Sequence, residues 1–580
     1  RSCEQALAVD SGERTRRLRK MRQVLARTSW DRTAEAMDEL ITDAVARCRK
    51  GRSLRIDAAA CPSEPRDETP GGSPTPPVLV LGAGPTGLSA AYHLGQDAFL
   101  LEQNDTVGGW CRSIAVNGFT FDFAGHIMFS KDPCVHEIYR MLLSDNVHWQ
   151  DREAWIYSKN VYTRYPFQGA LHGLPPQVIK ECIVGAIEAR YGSQKDAKSV
   201  ENANGSLNGH GAQLLAQANG NGHANGNGHG KAKQYKVVTD CCGEGVLEST
   251  ARLGHANGVA RGNGEPENFE EFIYKVWGAG IAKHFAIPYN KKLWAVPLTE
   301  METSWLGGRV PLPDLEEMIE GALQPVPKPM GPSARFGYPL FGGFQSLMNG
   351  FLPHLKGPLW LNARVARVSP LRHVLTLDDG RELPYEQVIS TMPLPVLIRI
   401  MGDEAPPRVR QAARRLRFVS VRCVHLGLGR PNLTEKHWIY YPEDTVFHRI
   451  FVQGNASPHC NPPGGFGLTC EIAYSEHKPL PCDGDALVRR CVADCQKVGI
   501  VDPDDPIWAA AQCDLRHAYV VYDHARPRNV AVIREWLEKQ DILLAGRYSE
   551  WEYYNSDHAF IAGKKAAEQV RQRRCAAAVV

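Results

Sequence analysis

The strongest constraint on the fold is the segment Val78 to Glu102, which reads VLVLGAGPTGLSAAYHLGQDAFLLE. Apolar residues lead into Gly82, Gly84 and Gly87, and a short amphipathic helix and a second apolar strand follow. In a βαβ unit these glycines allow the tight turn, the approach of a pyrophosphate and close packing of helix on strand. Glu102 is placed where its carboxylate can accept a ribose hydroxyl, and the helix N-terminus offers free N–H groups to phosphates. The segment predicts a dinucleotide-binding, Rossmann-like unit.

The composition is that of a globular protein. The chain has 580 residues, of which 43% are hydrophobic and 23% charged, and this length suffices for two or three domains. A net charge of +3 gives no strong attraction to nucleic acid or anionic membrane. No apolar run approaches the roughly 20 residues of a membrane-spanning helix. We therefore expect a cytoplasmic protein without a nucleic-acid partner or a membrane span.

The cysteines favour neither a disulfide scaffold nor a metal site. There are 16 of them, and the closest pairs are Cys241/Cys242 and Cys491/Cys495. Both pairs lack a second pair or a histidine set at zinc-ligand spacing. We expect reduced thiols and no bound metal.

The first residues predict a helical extension over 1–60. The stretch ERTRRLRKMRQVLARTSWDRTAEAMDELI within it resembles the final helices of a retaining glycosyltransferase with two Rossmann domains. The chain also opens on Arg1, so the extension is either a solvated amphipathic helix or the tail of an upstream enzyme in a fused polypeptide. Residues 61–77, rich in Pro, Gly and charge, predict an exposed linker.

A second glycine pair follows the nucleotide-binding unit in DTVGGWCRS, before FTFDFAGHIMFS. It places bare backbone and a cation just past the second strand, an arrangement typical of flavoproteins of the glutathione-reductase-like class. The residues are Gly108, Gly109, Arg112 and Ser113. Gly125 and His126 then form a turn from which the imidazole can face a flavin ring. The alternative for His126 is a hydrogen-bonded structural histidine.

The middle of the chain divides by composition. Residues 135–192 predict helices interrupted by a hairpin or extended entry within WIYSKNVYTRYPFQGALHGLP. Residues 193–264, dominated by Asn, Gly, His and Ala, predict a disordered insertion, because they offer too little apolar surface to offset the ordering entropy. In residues 265–333, apolar side chains recur at helical spacing from Phe269 to Trp277.

The last part returns to the first sheet. Residues 334–400 predict strands with a hairpin at Asp378-Asp379-Gly380, and QVIST is expected to rejoin the nucleotide-binding sheet. Residues 401–540 predict an antiparallel sheet that faces the substrate. Residues 541–572 predict a strand ending before Gly546 and a helix from about Asp557. The cofactor domain is thus expected to combine 78–134, 334–400 and 541–572.

The motifs GAGPTGLSAA, AGHIMFS, YPFQ, NFEEF, PYNKKLWAVP, HWIYYPED, HAYVVYDHAR and GRYSEWEYYNSDHAF together resemble the UDP-galactopyranose mutases, particularly their eukaryotic-like branch. The resemblance runs from about Val78 to Val570, apart from the insertion. It implies an α/β fold: an FAD-binding, glutathione-reductase-like Rossmann domain with an inserted helical domain and an antiparallel sheet of about six strands.

The resemblance also implies the chemistry. Reduced FAD uses its N5 to attack the anomeric carbon of a UDP-galactose and displace UDP, the sugar recloses with the other ring size, and UDP returns. UDP-galactopyranose and UDP-galactofuranose are thereby interconverted without net redox change, after reduction of the flavin by NADPH or NADH. The protein supplies positioning and charge stabilisation.

Residue roles follow by the same resemblance. YPFQ packs against uracil, the arginines hold the pyrophosphate and the flavin side, and the later tyrosines bind phosphates. The implied catalytic residues are His126, Arg449 and Arg547. The implied cofactor-binding residues are Gly82, Gly84, Gly87, Glu102, Gly108, Gly109, Arg112, Ser113, Gly125, Val365, Gly546, Arg547, Asn555 and Ser556. The implied substrate-binding residues are Tyr165, Phe167, Gln168, Asn268, Phe272, Trp438, Tyr440, Arg449, Tyr519, Tyr553 and Asn555.

Two departures concern the substrate. Ile287 stands where this branch usually has an arginine, and Phe272 stands where a tryptophan is expected. Loss of one charged hydrogen bond costs roughly 1.5–3 kcal/mol, on the order of 10- to 150-fold in binding. Candidates to compensate are Lys283, Lys291 and Arg309. The identity of the sugar nucleotide stays open at this point.

Alternative interpretations exist for single residues and for the whole protein. Trp438 and Tyr440, two apart on a strand, would also suit a core, and Arg449 would suit a surface ion pair. The whole chain would also suit an FAD-dependent oxidoreductase of the protoporphyrinogen-oxidase or amine-oxidase type, or a protein that retains FAD without turnover. The oxidoreductases need an apolar or amine-binding cavity rather than paired arginines.

Overall fold

The computed structural model describes residues 77–192, 265–306, 313–326 and 334–579. The predictions for 1–60, for nearly all of the linker 61–77 and for the insertion 193–264 fall outside the described residues. Arg309 falls outside them as well.

The strands are β1 (Val78–Leu81), β2 (Ala98–Leu101), β3 (Ser113–Val116), β4 (Phe119–Asp122), β5 (His148–Asp151), β6 (Ala154–Ser158), β7 (Val161–Arg164), β8 (Arg335–Tyr338), β9 (Leu359–Trp360), β10 (Val365–Ser369), β11 (Val374–Leu377), β12 (Glu382–Pro384), β13 (Val388–Ser390), β14 (Phe418–Leu428), β15 (Trp438–Tyr440), β16 (Arg449–Phe451), β17 (Phe466–Tyr474), β18 (Ile507–Val520) and β19 (Ile542–Leu544).

The α-helices are α1 (Pro85–Leu94), α2 (Pro133–Leu143), α3 (Pro176–Tyr191), α4 (Phe269–Phe272), α5 (Gly278–Ile281), α6 (Ile287–Trp294), α7 (Leu315–Leu323), α8 (Gln345–Asn349), α9 (Leu394–Met401), α10 (Pro407–Arg414), α11 (Gln453–Ala456), α12 (Gly484–Lys497), α13 (Arg526–Glu538) and α14 (Ser556–Val579). None of these described helices is both long enough and apolar enough to cross a membrane.

A five-stranded parallel sheet carries the glycine-rich turn. Its order is β19-β13-β1-β2-β9, so strands from both ends and the middle of the chain lie side by side. Val388 in QVIST pairs with Leu79 on one side and with Ile542 on the other. The predicted return of QVIST to the nucleotide-binding sheet is confirmed.

Alternate residues of the parallel strands enter two different cores, as expected for a sheet covered on both faces. Val78 and Val80 pack with α1 and α14, whereas Leu79 and Leu81 pack with α9, α10, α13 and the small sheet β10-β11-β12. Helices α10 and α13 lie in 401–540, which the sequence assigns to the substrate-facing sheet. The second core therefore joins strands of the cofactor domain with two helices from the segment predicted to form the substrate-facing sheet.

Gly87 sets the distance between α1 and β1. A Cβ at this position would lie 1.8 Å from the carbonyl oxygen of Gly82, which is part of the fixed backbone. Gly82 itself has φ +97, a conformation that L side chains rarely adopt. The roles predicted for these two glycines, close packing and a tight turn, agree with the observed geometry.

The second large sheet has seven strands in the order β18-β14-β17-β16-β15-β6-β7. Five strands, β18-β14-β17-β16-β15, pair antiparallel, as the resemblance implies. The segment for which the sequence left open a hairpin or an extended entry is the hairpin β6-β7, and β6 extends the sheet by pairing parallel with β15. One face packs with α12, and the other faces the rest of the protein.

The helical region that begins at Phe269 is broken into short pieces. Two π-helical segments, Ile273–Trp277 and Ala282–Ala286, alternate with α4, α5 and α6. Each π-turn shifts the helical face, so the 3.6-residue pattern does not continue unchanged. Phe269, Phe272 and Trp277 are nevertheless buried, which confirms the predicted helix and its apolar face.

Candidate active site

Two glycine turns meet at the edge of the parallel sheet. The Gly108 N–H donates to the Ala83 carbonyl at 2.7 Å, and a Cβ on Gly109 would lie 3.2 Å from the Gly84 Cα. Gly84 also precedes α1, whose N-terminus has no side-chain cap. Bare backbone and free N–H groups therefore converge there, and such a cradle fits the pyrophosphate of a dinucleotide.

Glu102 directly follows β2 beside this cradle and is 4% exposed. Its Oε2 accepts from the Ala83 N–H at 2.8 Å and its Oε1 from the Asn104 N–H at 2.9 Å. Its carbonyl accepts from the Ala363 N–H at 2.8 Å, which brings the start of β10 at Val365 to the same edge. A carboxylate has about four lone-pair sites, so it keeps capacity for a ribose hydroxyl.

The C-terminal turn completes the cradle. A Cβ on Gly546, just after β19, would lie 2.3 Å from Thr86 Oγ1 on α1. Asn555 and Ser556 follow at the start of α14, where the Asn555 carbonyl accepts the Ala559 N–H. The fold thus brings the predicted cofactor residues of the last segment against those of the first.

Ser113 and Arg112 fix the strand that follows the second glycine pair. Ser113 Oγ donates to Asp122 Oδ1 at 2.7 Å, and Arg112 Nε donates to the Gly109 carbonyl at 2.9 Å. Asp122 is fully buried and also accepts the Tyr338 hydroxyl at 2.7 Å. Burial raises the pKa of Asp122, and these hydrogen bonds oppose the rise. We did not single out Asp122 from the sequence, although an acid two residues before the Ala124-Gly125-His126 turn was the available signal.

His126 lies in the loop after Asp122 and stacks on Phe344, with ring centroids 5.3 Å apart. Its Nδ1 is buried and has no hydrogen-bond partner among the described residues. Burial, together with the charges of Arg547 and Arg449, lowers the pKa of His126 to about 4, against the opposing effect of a backbone hydrogen bond with Ala124. A neutral imidazole with an unpaired nitrogen fits the predicted position beside a planar cofactor.

Arg449 is held by a buried carboxylate. Its Nε donates to Glu471 Oε2 at 3.1 Å, and its Nη2 bonds to the same oxygen. The other oxygen, Oε1, accepts the Gly125 N–H at 3.2 Å. Because Glu471 is 1% exposed, the alternative of a surface ion pair for Arg449 is wrong. We did not single out Glu471 from the sequence, although an acidic residue inside the apolar segment LTCEIAYS could have indicated a buried, paired carboxylate.

Arg547 is anchored by main-chain carbonyls. Its Nη1 donates to Tyr554 O at 2.6 Å and its Nη2 to Ala518 O at 2.8 Å. Its guanidinium lies 4.6 Å from the ring centroid of Tyr553 and 5.4 Å from that of Tyr519. Its Nε is buried without a partner among the described residues, and only two of the five N–H groups of the guanidinium bond to these carbonyls.

Tyrosine rings surround the two arginines. Tyr519 and Tyr553 stack at 6.0 Å, and Tyr440 lies 5.3 Å from Tyr165 and 5.6 Å from Tyr289. Burial raises the pKa of Tyr165 to about 12, and that of Tyr289 well above its usual value. These hydroxyls therefore stay protonated at neutral pH and can donate hydrogen bonds. Tyr289 was not singled out from the sequence, although it lies within PYNKKLW.

Trp438 packs as a core residue. It is 2% exposed and stacks on Phe451 at 4.6 Å. Arg152 lies 4.9 Å from the Trp438 ring, and its Nη2 donates to the Tyr440 hydroxyl at 2.8 Å. Trp438 and Tyr440 share one face of the sheet, as predicted. Arg152 contacts both side chains, but its hydrogen bond is to Tyr440. Arg152 is a further cation that the sequence alone did not single out.

The remaining predicted substrate residues lie on the helical side. Phe167 is fully buried and stacks on Phe285, and Phe272 is buried in the same core. Gln168, the last residue of the YPFQ motif, is buried in the short turn Phe167–Gly169. Asn268 caps α4 by accepting the Glu271 N–H at 3.0 Å. These side chains support the site wall, and their predicted contacts with uridine stay predictions.

Ile287 begins α6 and packs against the main core, with no charge of its own. Lys283 is ion-paired with Glu181 at 2.7 Å, so it is engaged elsewhere. Lys291 is exposed. Arg152 is the additional cation that the fold places next to Tyr440, within the tyrosine-lined region.

The chain resembles known flavoproteins in sequence and structure. Residues 80–142 match the family of NAD(P)-binding Rossmann-like domains, and residues 305–571 match that of flavin-containing amine oxidoreductases. A reduced UDP-galactopyranose mutase matches with TM-score 0.70 and 25% identity, over 86% of this chain and 94% of that one.

Two further solved structures share the fold. One is a protein from Exiguobacterium sp. 255-15 described as a protoporphyrinogen oxidase, with TM-score 0.57 and 15% identity over 87% of this chain and all of that one. The other is a putrescine oxidase bound to putrescine, with TM-score 0.53 and 16% identity over 86% of this chain and 99% of that one. The protein therefore has a Rossmann-like domain within an amine-oxidase-type flavoprotein fold. The resemblance to the UDP-galactopyranose mutases is confirmed.

Proposed function

We propose that this protein interconverts UDP-galactopyranose and UDP-galactofuranose with reduced FAD. The observation that carries the proposal is the pair of oriented arginines, Arg449 and Arg547, in a tyrosine-lined region beside a dinucleotide cradle. Such a set recognises an anionic ligand such as a diphosphate. An apolar or amine substrate has no negative charge that these two arginines could bind.

Several groups of the chain are suited to hold the separate parts of FAD. The glycine turns and the α1 N-terminus would hold its pyrophosphate, and the Glu102 carboxylate would accept a ribose hydroxyl. The unpaired nitrogen of His126 and the start of α14 would border the ring system. When bound and reduced, FAD supplies the nucleophilic N5 that reacts with the anomeric carbon of the sugar.

The arginines would hold the UDP diphosphate before and after it leaves the sugar. Their geometry is fixed in advance by Glu471 and by backbone carbonyls, so little reorganisation is needed as negative charge develops. The hydroxyls of Tyr519 and Tyr553 would donate further hydrogen bonds to the phosphates. A neutral His126 would add no second positive charge next to the flavin.

NADPH or NADH is the reductant we propose for the flavin, and a UDP-sugar is the proposed substrate. The basic N-terminal stretch resembles the final helices of a glycosyltransferase, so we propose a fusion to, or cooperation with, such an enzyme. Because Ile287 stands in place of an arginine, Arg152 is the cation on which recognition of the sugar nucleotide would rely instead.

The decisive experiment is an anaerobic assay with dithionite-reduced holoprotein and UDP-galactofuranose, followed by chromatography of the sugar nucleotides. We expect UDP-galactopyranose with reduced protein and none with oxidised protein. A yellow, fully reducible protein that gives no conversion would contradict the proposal.

The amine-oxidoreductase match over residues 305–571 supports a second candidate, an FAD-dependent oxidase. That activity starts from oxidised flavin and consumes oxygen. Polyamines and protoporphyrinogen supplied aerobically, with hydrogen peroxide as the readout, would identify it. Turnover there, with no conversion of the sugar nucleotide, would replace the mutase proposal.

A further inference from the structure

Four side chains form a row across the seven-stranded sheet. Strand β14 lies between β17 and β18, and its Cys423 is opposite Glu471 on one side and Cys513 on the other. Glu471 in turn is opposite Arg449 on β16. Register partners share a face of a sheet, so the row Arg449–Glu471–Cys423–Cys513 faces the site. Two thiols thus continue the line that begins with the predicted diphosphate-binding arginine.

The register makes a bond between the two thiols geometrically possible. Directly opposed residues of antiparallel strands have Cα atoms about 4.5–5.5 Å apart. Disulfides span Cα separations of about 4.4–6.8 Å. Cys423 and Cys513 meet this requirement without movement of either strand.

Cys513 has the surroundings of a reactive thiol. His425 Nε2 lies 3.3 Å from its sulfur, and His425 Nδ1 lies 2.9 Å from Thr469 Oγ1, which orients the ring. The contact with Cys423, followed by that with His425, lowers the pKa of Cys513 to about 6 against the effect of burial. Cys513 is partly exposed, whereas Cys423 is fully buried and burial raises its pKa. One member of the pair can therefore act as a thiolate while the other remains a thiol.

We propose that Cys513 and Cys423 are a modification site that peroxides oxidise to a disulfide. The Cys513 thiolate attacks one oxygen of hydrogen peroxide, the O–O bond breaks, and a sulfenic acid and hydroxide form. The Cys423 thiol then attacks the Cys513 sulfur, an S–S bond forms, and water leaves. Overall two thiols lose two hydrogens, and one peroxide becomes two waters.

Oxidation of Cys513 would affect the candidate site through the hydrogen bond between Cys513 and the Phe123 backbone. The thiol form of Cys513 donates from Sγ to the Phe123 carbonyl at 3.0 Å, and oxidation to the disulfide removes this form entirely. Phe123 lies two residues before Gly125, whose N–H binds Glu471. Loss of the donor releases the backbone that leads to His126, so the environment of a bound flavin should change.

The test treats the full-length holoprotein with hydrogen peroxide, blocks free thiols with N-ethylmaleimide and analyses non-reduced peptides by mass spectrometry. We expect a cross-link between the peptides of Cys423 and Cys513, lighter by two hydrogens and reversed by dithiothreitol. A shift of the flavin absorption band should appear and reverse with it. In Cys423→Ser the cross-link should be absent, and dimedone should label Cys513.

The chain contains a matched control pair. Cys470 and Cys495 have sulfurs 3.6 Å apart, but both are fully buried, and among the described residues no histidine is hydrogen-bonded to either sulfur. This pair should stay reduced at peroxide doses that link Cys513 to Cys423. A Cys513 that remains a thiol while exposed Cys134 is oxidised would overturn the proposal. Equal overoxidation of Cys513 in wild type and Cys423→Ser would overturn it as well.

Discussion

The polar residues of the candidate site act through fixed partners. Arg449 is oriented by Glu471, and the same carboxylate binds the backbone of Gly125. A buried carboxylate is stable as an anion only while its cation and hydrogen bonds remain. Glu471 therefore serves both the orientation of a cation and the position of the loop before His126.

Replacement of Arg449 by Ala should have two separable effects. UDP affinity should fall on the order of 10- to 150-fold, because one charged hydrogen-bonding group is lost. Stability should fall by about 3–5 kcal/mol, because Glu471 is left buried and unpaired. Calorimetric titration with UDP and urea unfolding measure the two effects.

A double variant separates the causes. Arg449→Ala combined with Glu471→Gln should recover much of the stability and none of the UDP affinity. Arg372→Ala, which removes an exposed ion pair with Glu382, is the control and should change neither quantity appreciably. Full recovery of UDP binding in the double variant would show that Arg449 does not contact the nucleotide.

At the scale of elements, backbone contact between α1 and its neighbours determines the cradle. Gly87 lets α1 lie against the Gly82 carbonyl, and Gly546 lets the C-terminal turn lie against Thr86. The atoms that any added Cβ would meet at Gly87 belong chiefly to the main chain. The helix would therefore have to move away from the sheet.

Gly87→Ala should abolish stoichiometric flavin binding. In a free helix this substitution stabilises by about 0.8–1.0 kcal/mol, but here a Cβ 1.8 Å from a carbonyl oxygen reverses the sign. Flavin absorbance per protein and thermal unfolding measure the outcome.

Gly484→Ala is a control at which φ is +55 and no atom lies within 4 Å of the added Cβ. It should keep its flavin and lose roughly 1–2 kcal/mol from backbone strain alone. A flavin-replete Gly87→Ala protein would contradict the close packing.

At the scale of the whole molecule, several histidines are buried where their charged form is disfavoured. Burial lowers the pKa of His437 and of His517 to about 4, and that of His448 well below its usual value. Below pH 6.5 the unfolded chain takes up protons at these sites and the folded protein does not. The free energy of unfolding must therefore fall as the pH is lowered from about 6.5 toward 4.

The free energy of unfolding is expected to fall by about 1.4 kcal/mol per pH unit of acidification for each such histidine. Urea unfolding at pH 7, 6 and 5 measures it. His448 is fully buried, and neither ring nitrogen has a hydrogen-bond partner among the described residues. His448→Leu should flatten the slope by one histidine, while stability at pH 7 should be kept or raised. An unchanged slope would show that His448 takes up a proton in the folded protein.

The sequence alone was sufficient for the local units. The spacing of Gly82, Gly84 and Gly87 predicted the βαβ turn, the β-branched run in QVIST predicted a buried strand, and Asp378-Asp379-Gly380 predicted a hairpin. The structure agrees with each of these, with β11 and β12 joined at that turn. Backbone geometry and hydrophobic periodicity act over a few residues, so they can be recognised without knowledge of the fold.

Only the tertiary structure decided which distant residues meet. The pairing of Arg449 with Glu471, the burial of Trp438 and the alignment of Cys423 with Cys513 depend on the register of strands that are far apart in sequence. A shift of that register by one residue would send every side chain to the other face. Composition and local spacing carry no information on this register, because it is determined by packing of the whole molecule.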